Sequence, residues 1–195
     1  MAQMRGPDGF TGAFRSLRAT RSFRPDPVPH AVLADLFESA RWTGSARNRQ
    51  PWRVIAFSDP RERKALSMLG RYSAHLAGAP LAVLLAIDHE LGGADAEFDA
   101  GRFAQTLMLA AQAHGLGSCP VSFFPEENVS AATQRAGLRD PWRVRTAIAI
   151  GYPESAPSTP GARSVIPTGR HSVDAIVSAP PARSTAHHPA PIRGG

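Results

Sequence analysis

The chain of 195 residues contains a single cysteine, Cys119. That excludes an intrachain disulfide and a metal cluster built from cysteines. Lysine is equally scarce: Lys64 is the only one, so nearly all of the positive charge is arginine. No apolar run approaches the roughly 20 residues of a membrane-spanning helix. The longest, Leu81 to Ile87, has the length of a strand. The N-terminus lacks a basic region followed by an apolar one, so no secretion signal is expected and the cytoplasm is the expected location. Catalytic fingerprints are missing too. Gly115-Leu116-Gly117-Ser118 is not the G-x-G-x-x-G of a dinucleotide site, and it lies at the end of a helical stretch rather than its start. There is no Walker loop, no H-E-x-x-H and no G-x-S-x-G. The histidines show no metal-ligand spacing beside carboxylates, and Glu38, Asp99 and Asp174 have no evident partner. A hydrolase needs a positioned nucleophile and base. With none to assemble, the chemistry of an enzyme falls to a cofactor.

What is present suits one globular domain: 43% hydrophobic residues and a length typical of a single core. The net charge is +6. The arginines run from Arg5 to Arg193 without forming an aromatic-laced stripe, which argues against nucleic acid. Arginine is the better fork for phosphate, so a small phosphate-bearing ligand fits this composition.

Periodicity predicts a loose N-terminus over 1–9 and helix over 10–18, where Phe10, Ala13, Phe14 and Leu17 share helical spacing. Three prolines between Arg24 and Pro29 forbid helix interior. Helices are expected over 30–42, from Asp59-Pro60 to near Gly70, over 98–114 and over 126–136. Strands are expected over 52–57, 81–87, 119–124 and 144–150, with the fully apolar 81–87 central and covered on both faces. A last short element is expected over 172–177. The Pro/Ser/Gly-rich stretch after Pro153 is longer than most loops and suits an arm that wraps a partner. Residues 179–195 have no apolar periodicity and read as a disordered tail. The result is one domain over 10–178 with an arm at 154–178, in an α+β or α/β class with about four strands.

Two constellations stand out. Gly44 to Trp52, G-S-A-R-N-R-Q-P-W, places Asn48 and Gln50 between a small-residue turn and a Pro-Trp entry into a strand. Such a loop presents amides and backbone to a flat polar ligand, or simply connects helix to strand. Arg18, Arg21 and Arg24 recur every third residue and either form a solvated helix face or hold a phosphate with bidentate bonds. Arg163, Arg170 and His171 form a second basic cluster.

Four blocks, in order, resemble the flavin-dependent nitroreductases over residues 10–178. They are R-A-T-R-S-F-R-P-D-P-V-P (18–29), G-S-A-R-N-R-Q-P-W (44–52), D-A-G-R-F-A-Q-T-L-M-L-A-A-Q-A-H-G-L-G-S (99–118), and I-A-I-G-Y-P (148–153) with R-H-S-V-D-A-I-V (170–177). The resemblance implies an α+β fold with a central mixed or antiparallel sheet flanked by helices, an intertwined homodimer, and FMN at the dimer interface. It implies NADH or NADPH as electron donor and a nitroaromatic, quinone or related acceptor. Carried onto this chain, Arg18 and Arg21 hold the phosphate or a ring carbonyl edge, with Ala19 and Thr20 adding backbone. Ser45, Ala46 and Asn48 come from the other subunit, and Gln50 joins the cofactor-binding residues. Pro120, Val121 and Ser122 line the flavin ring, and Arg170 with His171 closes over the phosphate. No protein side chain is then needed as a catalyst.

The chain departs from the family pattern at Gly44, where proline is usual, and at Ala19, where serine is common. Phe123 and Phe124 stand where small residues are common and are expected to narrow the space over the flavin. The segment G-S-C-P-V-S-F-F also resembles azoline dehydrogenases and cyclodipeptide oxidases. That implies the alternative of an oxidase acting on a peptide-derived substrate. A non-catalytic flavin-binding subunit is a third reading.

Overall fold

The computed structural model describes residues 7–154 and 169–178. The expected tail at 179–195, residues 1–6, most of the expected arm, Arg163, His187 and His188 lie outside the described residues. The chain divides into two units at Ala156/Pro157, and everything up to Glu154 belongs to the first.

Four strands form one sheet: β1 (Trp52–Phe57), β2 (Leu81–Asp88), β3 (Gly117–Ser122) and β4 (Trp142–Gly151). Their order is β1-β2-β4-β3, and every pairing is antiparallel. β2 is central, and all eight of its residues are buried. It reads as an unbroken apolar run because each face is covered. Val83, Leu85 and Ile87 face α2 (His30–Ala40) and α5 (Ala96–Ala113), meeting Leu36, Phe103 and Leu107. Ala82, Leu84 and Ala86 face the other way, toward Leu66 of α3 (Pro60–Leu66), Leu76, and Val129 of α6 (Glu126–Arg135). Each large side chain buried this way is worth about 1.5–3 kcal/mol.

Element ends follow local chemistry. Pro60 opens α3, with Asp59 as its cap accepting the Arg61 N–H at 2.8 Å. Asp88 caps the single turn α4 (His89–Gly92) by accepting from Leu91 N–H. Gly115, at φ 73°, takes the left-handed position just after α5.

The first helix differs from expectation. α1 spans Pro7–Ser16 rather than 10–18, starting on a proline suited to a first turn. It ends before Arg18, so the three arginines are not a helix face. Instead they lie on an extended segment that bridges Ser118 through Ala19 and Pro153 through Phe23. β3 also starts two residues earlier than expected and stops at Ser122. In the second unit, α7 (Val173–Ile176) is a single exposed turn.

Candidate active site

β3 is an edge strand, and its pleat decides what it offers. Phe123 N–H donates to Arg145 O at 2.8 Å, so the backbone of odd residues turns inward to β4. Thr20 N–H donates to Ser118 O at 2.9 Å, so even residues turn outward. The 18–24 segment covers that outer edge only as far as Ser118. Beyond it, Pro120 and Ser122 are both exposed, although Gly70 stands close against the Ser122 carbonyl. Proline is tolerated there because the N–H it lacks would face outward, so the ladder to β4 loses no bond. Val121 instead packs inward, 7% exposed.

The 18–24 segment is pressed onto β3 by a close approach. A Cβ at Gly117 would stand 2.6 Å from Thr20 Cβ and 2.7 Å from its Cγ2, so only glycine allows the contact. Arg18 and Arg21 do not converge. Arg18 lines a hollow of about 170 Å³ with Ser16, Thr20, Gln112, Ser118 and Pro153. Among the described residues its Nη1 donates to the carbonyls of Arg15 and Leu17. Gln112 Oε1 is buried there without a hydrogen-bond partner, while its Nε2 donates to Ala13 O and Ser16 Oγ. Arg21 stands on the other side, close enough to His75 and Cys119 for its charge to disfavour protonated His75. Burial is the larger cause and pushes the His75 imidazole below its ordinary value; it likewise pushes the Cys119 thiol up. Neither Arg18 nor Arg21 is paired with a carboxylate among the described residues.

Among the described residues, the non-glycine residues with positive φ all lie in the Gly44–Trp52 loop. Arg47, Asn48 and Gln50 have φ of 53°, 54° and 50°, a left-handed conformation that L-residues rarely adopt. Hydrogen bonds hold it from several sides. Ala46 N–H donates to Asp99 Oδ2 at 2.8 Å, Gln50 N–H to Ser45 Oγ at 2.8 Å, and Arg49 Nη1 to Gly92 O at 3.1 Å. Gln50 Nε2 donates to Asn48 Oδ1 at 3.1 Å. The Ser45 hydroxyl proton and the Asn48 NH₂ donors remain for a ligand.

Several residues missed in sequence matter here. Asp99 has a partner after all: it lies on the α5 stripe with Phe103 and Leu107, buried to 2%. That position, four and eight residues before apolar core residues, was the available signal. Glu38 is also paired, with Arg41 at 2.5 Å on the surface. Arg102 Nη1 lies 3.5 Å from Asp99, and Arg102 Nη2 stands 3.2 Å from where a Gly44 Cβ would be. Glycine in place of the usual proline thus leaves room for this guanidinium. The expectation that Phe123 and Phe124 both narrow the ligand space is corrected: Phe123 is fully buried core, and Phe124 alone is exposed, at 51%. Arg170 is exposed and its Nη1 donates to Gly169 O; His171 is exposed.

The exposed β3 edge lies at one side of an antiparallel α+β sheet, and the Gly44–Trp52 loop leads into β1, the edge strand at the other side. The chain belongs to the Nitroreductase family, whose model matches residues 15–70 and 67–152. It is 31% identical to a protein named NADH dehydrogenase from Thermus thermophilus, over 75% of this chain and 87% of that one. Nitroreductase NfnB from Mycolicibacterium smegmatis is 28% identical over 75% of this chain and 83% of its own. The fold matches an FMN-dependent nitroreductase from Clostridium difficile with a TM-score of 0.70 at 22% identity, covering 74% of this chain and 87% of that one. This chain is therefore an oxidoreductase of the nitroreductase fold. Among the described residues no helix is long and apolar enough to cross a membrane, and no group of His, Cys, Asp or Glu is placed to hold a metal.

Proposed function

We propose that this protein is an FMN-dependent oxidoreductase of the cytoplasm that works as a homodimer. When bound, FMN supplies hydride transfer from NADH or NADPH to a nitroaromatic, a quinone or a related electron-poor acceptor. The observation that carries the reading is the open edge of β3, with the outward Ser122 backbone beyond the reach of the 18–24 segment. The residues present fit the group. The unpartnered Gln112 Oε1 suits a ribityl hydroxyl, and the Arg18 hollow suits the phosphate. Arg21, with Ala19 and Thr20 backbone beside it, adds positive charge that favours a negatively charged reduced ring. Pro120 and Val121 shape the edge, and the Ser122 N–H is its outward donor.

The free donors of Ser45 and Asn48, on a loop shaped by Ala46 and Gln50, serve the partner subunit's site. A groove of about 780 Å³ between α1 and α5, with Phe10, Phe14 and Phe98 exposed along it, supports pairing of two copies on this face.

Purified protein mixed anaerobically with NADPH tests the reading. The flavin absorption band is expected to bleach rapidly, and the protein to elute as a dimer on size exclusion. A colourless protein that takes up no added FMN would sink the proposal. A flavin-loaded monomer would sink the shared-site part alone.

A further inference from the structure

The β2–β4 ladder contains one irregularity. Leu85 pairs with Thr146 and Ala86 pairs with Val144, so Arg145 is an extra residue in β4. A bulge of this kind re-aims side chains. Val144 and Ala147 both face the α3–α6 side, although an odd spacing would put them on opposite faces of an unbroken strand. Arg145 is thereby freed from the alternation. It lines a pocket of about 330 Å³ with Arg143, His89, Glu97, Phe124 and Glu126.

Two arginines and two glutamates line this pocket, but they do not all pair with one another. Arg143 Nη2 pairs with Glu126 at 2.5 Å, and His89 Nε2 bonds Glu97 at 3.0 Å. Arg145 has no ion pair among the described residues. Beside it stands the half-exposed Phe124 ring, two residues past the outward-facing Ser122. The backbones of Arg145 and Phe123 are hydrogen-bonded, so the pocket adjoins the end of the open β3 edge.

We propose that this pocket binds an aromatic carboxylate, its ring against Phe124 and its anion on Arg145. An arginine fork meets a carboxylate in two parallel bonds. The volume suits one substituted ring and is small for a dinucleotide. Resting on the reading above, this names the acceptor class: an aromatic acid, held with its carboxylate at the bulge and its reducible group toward the β3 edge.

The test starts with binding of benzoate, and of methyl benzoate as its neutral counterpart, to the holoprotein by calorimetry. Benzoate is expected to bind, and Arg145→Ala to weaken it about tenfold or more, with Arg145→Lys between them. Methyl benzoate affinity is expected to be insensitive to both changes. Unchanged melting temperatures would show that the exposed Arg145 side chain is not a fold determinant. Equal benzoate affinity in wild type and Arg145→Ala would overturn the proposal. So would an Arg145→Ala protein that loses NADPH affinity while keeping benzoate. In turnover, 4-nitrobenzoate is expected to show a lower KM than its methyl ester, and Arg145→Ala to erase the difference through KM. Arg145-dependent benzoate binding without reduction of either nitro compound would sink the nitroreductase reading and leave the pocket standing. Reduction of both with an Arg145-independent preference would do the reverse.

Discussion

Asp99 Oδ2 accepts the backbone N–H of Ala46 at 2.8 Å, and that carboxylate is only 3% exposed at the side chain. The bond ties the first turn of α5 to a loop in which three non-glycine residues have left-handed backbones. Asp99→Ala leaves the Ala46 N–H without its acceptor and is expected to cost about 1–3 kcal/mol. Asp99→Asn keeps one acceptor oxygen and is expected to cost less. Urea denaturation measures both, and hydrogen exchange at Ala46 should accelerate in the alanine variant. An Asp99→Ala protein as stable as wild type would show that the loop holds its shape without this bond.

Gly117→Ala is expected to be worse than its size suggests. The new methyl meets Thr20 Cβ and Cγ2, atoms of a β-branched side chain with little rotamer freedom. Overpacking of this kind costs about 1–3 kcal/mol. It also lifts Arg18 and Arg21 off the strand, so FMN affinity should fall with stability. Retained stability with retained flavin would mean that the segment yields without loss.

Gly44→Ala makes the opposite case. The neighbour a methyl would meet, Arg102 Nη2 at 3.2 Å, is the far end of a flexible side chain. The guanidinium can swing aside, so the cost should stay below about 0.5 kcal/mol. Thermal melts of this variant and of Gly117→Ala, run side by side, check the ranking.

His75 gives the fold a dependence on acid. Burial, the largest cause, lowers its folded-state pKa from the ordinary 6.5, with the Arg21 charge acting in the same direction. The unfolded chain therefore binds the proton first as pH falls. The stability His75 contributes is fully present above pH 6.5 and is lost as pH drops from there through the lower folded value. His75→Gln should flatten the melting temperature against pH between about 7 and 5. A slope that survives the substitution would place the titration elsewhere.

Cys119 is 2% exposed, and burial raises its thiol pKa, so little thiolate is available. Native protein should react with a disulfide reagent far more slowly than protein in denaturant. Immediate labelling of the folded state would mean that β3 opens readily.

The strands and most helices were legible in sequence because their signal is local. The apolar run at 81–87 needs no partner to be read as a doubly covered strand, and the four family blocks identify themselves by residue order. The first helix was misplaced because Pro7 and Asp8 add no apolar period, while Leu17 continues one past the helix end. Phe123 and Phe124 are the same residue type side by side, yet the alternation of β3, continued one bond past Ser122, buries one and exposes the other.

By itself, then, the sequence determined the α+β class and the family. Only the tertiary structure decided that Arg18 and Arg21 stand apart, that Asp99 holds the Gly44–Trp52 loop across 53 residues of chain, and that a bulge frees Arg145. Hydrophobic periodicity is written along the chain, one residue after another. A carboxylate's partner and a strand's register are set by segments far apart in sequence, and they exist only once the core has packed.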